Sequence, residues 1–171
     1  MRIGSSILET SRLLIYPLEL GDASFIFELM NEPGFLRFIG DRKIRDEETA
    51  RVYLRDRMIG SYEEHGFGLY LLWLKSEQCE LGICGFVKRK DLEHPELGFA
   101  LLKEFEGYGY DRESSEALIE FARMKLGLRR LLAITSVDNP RSIRLCQKLG
   151  FVRECSVKLG SEPLECFGLT L

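Results

Sequence analysis

The chain has 171 residues, of which 45% are apolar and 30% charged, with a formal net charge of −3. That profile fits one folded domain spanning residues 1–171, able to bury roughly 70% of its unfolded surface. The charge argues against a dedicated nucleic-acid binder, which carries a strong basic excess. Five cysteines, an odd number without a CxxC, and only two histidines argue against a disulfide framework or a multi-histidine metal site. The opening "MRIGSSILETSRLLIY" lacks the apolar core of a signal peptide, and no apolar run reaches the ~18 residues of a membrane span. The expectation is a cytoplasmic protein with reduced thiols, no metal, no nucleic acid and no membrane partner.

In chain order, "RLLIYPLEL" (12–20) reads as a strand ended by Pro17 and a turn at Gly21. "GDASFIFELMNEP" reads as a helix with Asp22 as N-cap, Phe25, Ile26 and Leu29 as its apolar stripe, and Pro33 as its stop. A longer helix follows in "RDEETARVYLRDRMIGSYEEHG", with Asp46 near its start and Ala50, Tyr53, Leu54, Arg57 and Met58 at helical spacing. "FGLYLLWLK" (67–75) and "ELGICGFVKR" (80–89) make a hairpin around a short polar turn. "ELGFALL" (96–102) is a third strand. "EGYGYDRESSEALIEFA" is a glycine loop entering a helix. "LRRLLAITSV" (128–137) is another buried strand, "NPRSIRLCQKLGF" a capped helix ending at a glycine, and the tail two strands around a turn at Gly160. The order predicts a mixed α/β or α+β sheet covered by helices.

The stretch "KEFEGYGYDRESSEALIEFA" (103–122) poses a chemical question. Uncapped amides at a helix start bind anions, because their N–H groups and the helix dipole both favour negative charge. Yet the loop carries Glu104, Glu106, Asp111 and Glu113. Asp111 and Glu113 in the first turn also have a purely structural use, since acid there stabilises the dipole. Two phosphate motifs are excluded: a Walker loop needs GK[ST], and Gly109 is followed by Tyr110; a Rossmann fingerprint needs a third glycine and a later acid.

"LGFALLKEFEGYGY" followed by "NPRSIRLCQKLGF", about 30 residues apart, resembles the GNAT superfamily of acyl-CoA N-acetyltransferases. The opening "ETSRLLIYPLELGDA" and "HGFGLYLLWLK…ELGICGF" resemble its branch of Rim-type ribosomal-protein N-terminal acetyltransferases. The resemblance implies a GNAT fold: a mixed, mostly antiparallel sheet of six to seven strands flanked by four helices. It implies acetyl-CoA as cosubstrate, a primary amine as acceptor, and a monomer or homodimer. By the same resemblance the amine would attack the thioester directly, and the acceptor would be either a protein N-terminal α-amine or a small-molecule amine. The alternative is a catalytically silent fold that binds CoA or a partner.

The resemblance also implies site residues. Backbone amides between Phe105 and Tyr110, including those of Glu106, Gly107, Tyr108 and Gly109, would hold the pyrophosphate while the loop's side chains point away. Glu104 departs from the family's Gln or Arg. Arg112 would add positive charge. Phe99, Ala100 and Leu101 would pair with the pantetheine arm by their backbones, and Asn139 and Ser142 would contact the same arm. Asn139 before Pro140 is also an N-cap in its own right. Glu96 is the first candidate general base. His94 is the second, its ordinary pKa of ~6.5 being suited to base work. Cys146 stands where many members carry the tyrosine that protonates the departing thiolate. The spacing Ser142, Leu145, Cys146, Leu149 turns it inward, but a buried cysteine is more often simple packing. Phe35, Phe38, Glu64, Phe67 and Tyr70 are candidates for the acceptor site.

Overall fold

The computed structural model describes residues 4–159 and 162–171. Eight strands form one sheet: β1 (Leu8–Glu9), β2 (Leu13–Pro17), β3 (Leu69–Leu74), β4 (Cys79–Val87), β5 (Glu96–Leu101), β6 (Arg130–Ser136), β7 (Val152–Leu159) and β8 (Glu162–Thr170). Their order is β1-β2-β3-β4-β5-β6-β8-β7. All neighbours are antiparallel except β5 and β6. The eighth strand beyond the sequence expectation is β1, two residues long and too short to carry a period-2 pattern. The turn expected at Gly160 lies outside the described residues.

The helices are α1 (Ala23–Met30), α2 (Pro33–Phe38), α3 (Glu47–Tyr53), α4 (Gly60–His65), α5 (Tyr110–Met124) and α6 (Pro140–Lys148). Pro33 does not simply stop α1. It occupies the first turn of α2, where its missing N–H costs nothing. Asp22 does precede α1, but its carboxylate accepts the Glu19 N–H at 2.8 Å, closing the short 3-10 turn before the helix. Asp46 caps α3 by accepting the Thr49 N–H at 2.7 Å. The expected long second helix is present over 47–65, but Leu54–Ile59 between α3 and α4 is π-helical. Ala50, Leu54 and Met58 are its buried stripe, and Gly66 at φ +76° ends it.

α5 buries Ser114, Ser115, Leu118 and Ala122. Tyr110, Ala117 and Phe121 flank that stripe and remain partly exposed. α6 ends in a Schellman arrangement. The Phe151 N–H reaches the Cys146 carbonyl at 3.0 Å and the Gly150 N–H the Gln147 carbonyl at 3.1 Å, with Gly150 at φ +87° and Phe151 buried. This accounts for the Gly-Phe pair in the sequence. The main core packs α1, α3 and α5 onto β2–β5, with Leu13, Ile15, Leu71, Leu72, Phe86 and Leu118 fully buried.

Candidate active site

The site begins where the sheet opens. β5 pairs with β4 along all six of its residues. Toward β6 it makes one register pair, Glu96 with Leu132, supported by the Leu132 N–H on the Pro95 carbonyl at 2.9 Å. β6 meanwhile pairs with β8 over seven positions. Beyond Glu96 the two strands therefore part. Gly98, Phe99, Ala100 and Leu101 are half-exposed along the opening, and Ala133, Ile134 and Thr135 face them from β6. A cleft of about 1200 Å³ runs through this fork, lined by the β5–α5 loop and by α2, whose Gly34 lies close to Glu106, and further by the π-helical segment and the β4–β5 turn.

The loop answers the question of its carboxylates. Lys103–Phe105 is a 3-10 turn, whose closing bonds use the amides of Phe105, on Leu102 O at 3.0 Å, and Glu106, on Lys103 O at 3.2 Å. These two amides are thus already engaged within the turn. Gly107 and Gly109 follow at φ +85° and +80°, a left-handed conformation that glycine adopts without strain. Gly109 precedes α5 with no side-chain cap, so the first amides of α5 stay open, except that of Arg112, which the Asp111 carboxylate takes. A Cβ on Gly107 would meet nothing within 4 Å, so there is open space beside it.

The acids are each accounted for. The Glu106 carboxylate is ion-paired with Arg141 of α6 at 2.6 Å. Glu113 accepts from the Thr10 hydroxyl at 2.6 Å, the Arg12 backbone N–H at 2.9 Å and the Arg12 Nε at 2.6 Å. Burial alone would raise the Glu113 pKa, but the hydrogen bonds from Thr10 and Arg12 outweigh it and the carboxyl sits below its ordinary value. Asp111 accepts the Arg112 N–H at 2.8 Å and lines the cleft, while Glu104 is exposed and outside the lining. Arg112 turns to Glu116 at 2.7 Å and is absent from the lining. Tyr108 is 65% exposed and stacks beside Tyr110.

Across the fork, Asn139 caps α6 through its carbonyl oxygen, which accepts the Ser142 N–H at 3.1 Å; its NH2 group remains as a donor at the cleft. Ser142 also lines the cleft and hydrogen-bonds the Cys146 thiol. Cys146 is 3% exposed, and burial raises its pKa to about 11 against the Ser142 hydrogen bond that lowers it.

Glu96 is buried at the throat of the fork and ion-paired with Arg89. The hydrogen bond to Glu96 raises the Arg89 pKa, as does the nearby Tyr53 hydroxyl group. Tyr53, Arg89 and Glu96 all line the cleft. His94 does not. It lines a separate pocket of about 520 Å³ with Glu154 and Cys155, and its Nε2 is 4.0 Å from Glu93. Of the acceptor-site candidates, Phe35, Phe38 and Glu64 line the cleft. Phe67 and Tyr70 are core instead, Phe67 edge-on to Phe86 and Tyr70 stacked on Tyr62.

Sequence reasoning assigned no role to Arg12, Arg89 or Tyr53. Arg12 acts on residues about a hundred positions away and gives no local signal. Arg89 was reachable: Val87 faces Glu96 across the β4–β5 hairpin, so Arg89 falls diagonally beside it.

Comparison with known proteins agrees with this geometry. The acetyltransferase (GNAT) domain family matches residues 12–152. The uncharacterized N-acetyltransferase YnaD of Bacillus subtilis is 24% identical over 147 residues, 86% of this chain and 83% of that protein. The RimL ribosomal L7/L12 alpha-N-protein acetyltransferase in complex with coenzyme A superposes with a TM-score of 0.85 at 16% identity, covering 98% of each chain. The spermidine N-acetyltransferase of Vibrio cholerae in complex with CoA and spermine superposes at 0.78 with 15% identity, covering 94% of this chain and 96% of that one. The chain belongs to the acetyltransferase (GNAT) family. It is an N-acetyltransferase whose cosubstrate is acetyl-CoA and whose acceptors are amines. Among the described residues no group of three metal-ligating side chains is present, and no helix is long and apolar enough to cross a membrane.

Proposed function

We propose that the protein acetylates the α-amine of a peptide or protein N-terminus, acting through the fork between β5 and β6. The observation that carries this reading is the charge at the acceptor end of the cleft. Setting aside the Glu96–Arg89 and Asp56–Arg55 pairs, Lys88, which donates to backbone carbonyls, and Glu32, beside the glycine loop, the lining presents Glu64 and Asp91 against Arg42, Arg57 and Lys90. A polyamine, with several ammonium groups, calls for a surplus of carboxylates. A balanced, open trough suits a chain with one amine followed by mixed polar groups.

Acetyl-CoA supplies an activated thioester. The amides from Gly107 to Asp111 bind its pyrophosphate, and the unpaired edge of Phe99–Leu101 with Asn139 and Ser142 aligns its pantetheine arm. Glu96, held in one orientation by Arg89, takes the ammonium proton through water at its carboxylate oxygens. Cys146 is packing, and solvent or the acceptor returns the proton to the leaving thiolate. The whole chain works as one cytoplasmic domain, as a monomer or homodimer, without nucleic acid or membrane.

Initial rates with acetyl-CoA on a panel of N-terminal peptides, spermidine and simple amines test the acceptor class. Peptides reacting with higher kcat/KM than spermidine support the reading; a preference for spermidine by tenfold or more overturns it.

A further inference from the structure

Outside the cleft, the far edge of the sheet brings two thiols face to face. In the β7–β8 register Cys155 lies directly opposite Cys166. Opposed residues of an antiparallel pair share a face, with Cα atoms about 4.5–5.5 Å apart. That lies within the range of about 4.4–6.8 Å that a disulfide spans. Both cysteines are free thiols, Cys155 exposed and Cys166 only 4% exposed. Both line the same pocket of about 520 Å³, separate from the cleft. β7 is the outermost strand, and its register shifts between Arg153 and Cys155. An irregularity beside the pair, on a strand with one neighbour, lets the backbone adjust as a bond forms.

We propose that Cys155 and Cys166 are a redox-active dithiol, an oxidative modification site that a low-molecular-weight disulfide closes into a cross-strand bond. The chemistry is thiol–disulfide exchange in two steps. The exposed Cys155 thiolate attacks one sulfur of glutathione disulfide. A mixed disulfide forms on Cys155 and one glutathione thiolate leaves. Cys166, facing it, then loses its proton and attacks the Cys155 sulfur, expelling the second glutathione thiolate. Two protein thiols are oxidised and one glutathione disulfide is reduced to two glutathiones.

The order of attack follows from exposure. Burial pushes the Cys166 thiol up to about 11, with the neighbouring Cys155 adding to the effect, so Cys166 is a poor first nucleophile toward a reagent in solution. Once the mixed disulfide sits opposite it, the high local concentration of an intramolecular reaction offsets its low thiolate fraction. The bond would cross-link the edge strand to β8, at a position where Cys166 also faces Ile134 of the cleft wall.

The test is incubation of the whole protein with glutathione disulfide at mildly alkaline pH, acid quench, and mass analysis intact and after peptide mapping. The expected product has lost two hydrogens, carries no glutathione, joins the peptides containing Cys155 and Cys166, and reverts with dithiothreitol. Cys166→Ser should stop at a stable glutathione adduct on Cys155, and Cys155→Ser should give neither product. A persistent adduct on Cys155 in the unsubstituted protein, a disulfide-linked dimer, a cross-link through Cys79, Cys84 or Cys146, or no reaction would each overturn the proposal.

Discussion

Arg12, just before β2, grips Glu113, in the first turn of α5, through both its backbone N–H and its guanidinium. The same side chain donates to the Tyr108 carbonyl at 3.0 Å and lies 4.4 Å over the Tyr110 ring. One residue thus braces the glycine loop at three points. The carboxylate that looked out of place in an anion site is the far end of that brace. Arg12→Ala should raise the acetyl-CoA Kd about tenfold, a loss of about 1.4 kcal/mol, and leave kcat at saturation within about twofold. Titration calorimetry with steady-state kinetics reads both; unchanged affinity would remove the bracing role.

The same contact fixes a pH dependence. The Glu113 carboxyl sits below its ordinary value of 4.5 when folded. A lowered folded pKa contributes stability that is fully present above the unfolded pKa and is lost as pH falls through the folded one. Between pH ~5 and ~3, therefore, the wild type should lose more stability than Glu113→Gln, which has no such proton to take up. Parallel melting curves across that window check it, and identical acid slopes would refute the assignment.

At Gly109 the backbone, not space, sets the constraint. An added Cβ would come no closer than 3.8 Å to Arg12, but φ is +80°. Gly109→Val should cost about 1–3 kcal/mol in stability and weaken acetyl-CoA binding, because a β-branched residue strains there. Gly109→Asn tolerates the left-handed region and should lie between Val and wild type in both Tm and affinity. Equal losses for Val and Asn would mean that contact with the ligand dominates instead.

Glu96→Gln should lower kcat by about 10²–10⁴-fold, the usual contribution of a positioned base, while leaving acetyl-CoA affinity intact. His94→Ala should leave the rate within about twofold, since His94 opens onto the other pocket. The reverse pattern would move the base to His94.

Cys146→Ala should lower turnover only a few-fold. With its pKa raised to about 11 by burial, the thiol is a weak proton donor at neutral pH. A raised thiol pKa contributes stability present below the unfolded value of ~8.5 and lost as pH rises through the folded one. The substitution should accordingly flatten the alkaline end of the stability curve. A hundredfold loss of kcat with folding and affinity intact would make Cys146 the general acid.

What was legible in the sequence was whatever is encoded locally. The apolar runs of strand length in "LYLLWL" and "ELGFAL", the Asp46 and Asn139 caps, and the paired glycines before Tyr110 each place an element without reference to anything distant. What escaped was set by partners far along the chain. The loop's acids could not be paired with Arg12 and Arg141 before the sheet order was known. Phe67 and Tyr70 read like site aromatics because an apolar side chain looks the same facing a cleft or a core. The π-helical turn over Leu54–Ile59 keeps a helical apolar stripe, so period alone does not reveal it.

The single register pair between β5 and β6 also divides the molecule mechanically. α5 packs on β2, β4 and β5, whereas α6 packs on β6. On one side of the seam stand five strands and α1–α5; on the other stand β6–β8 and α6, tied across by little ladder bonding. A cosubstrate seated in the fork touches both halves and acts as a rivet between them. Amide exchange in β6 and β8 should then slow on binding, even at positions the ligand never reaches, and the two halves should melt as a tighter unit with it than without.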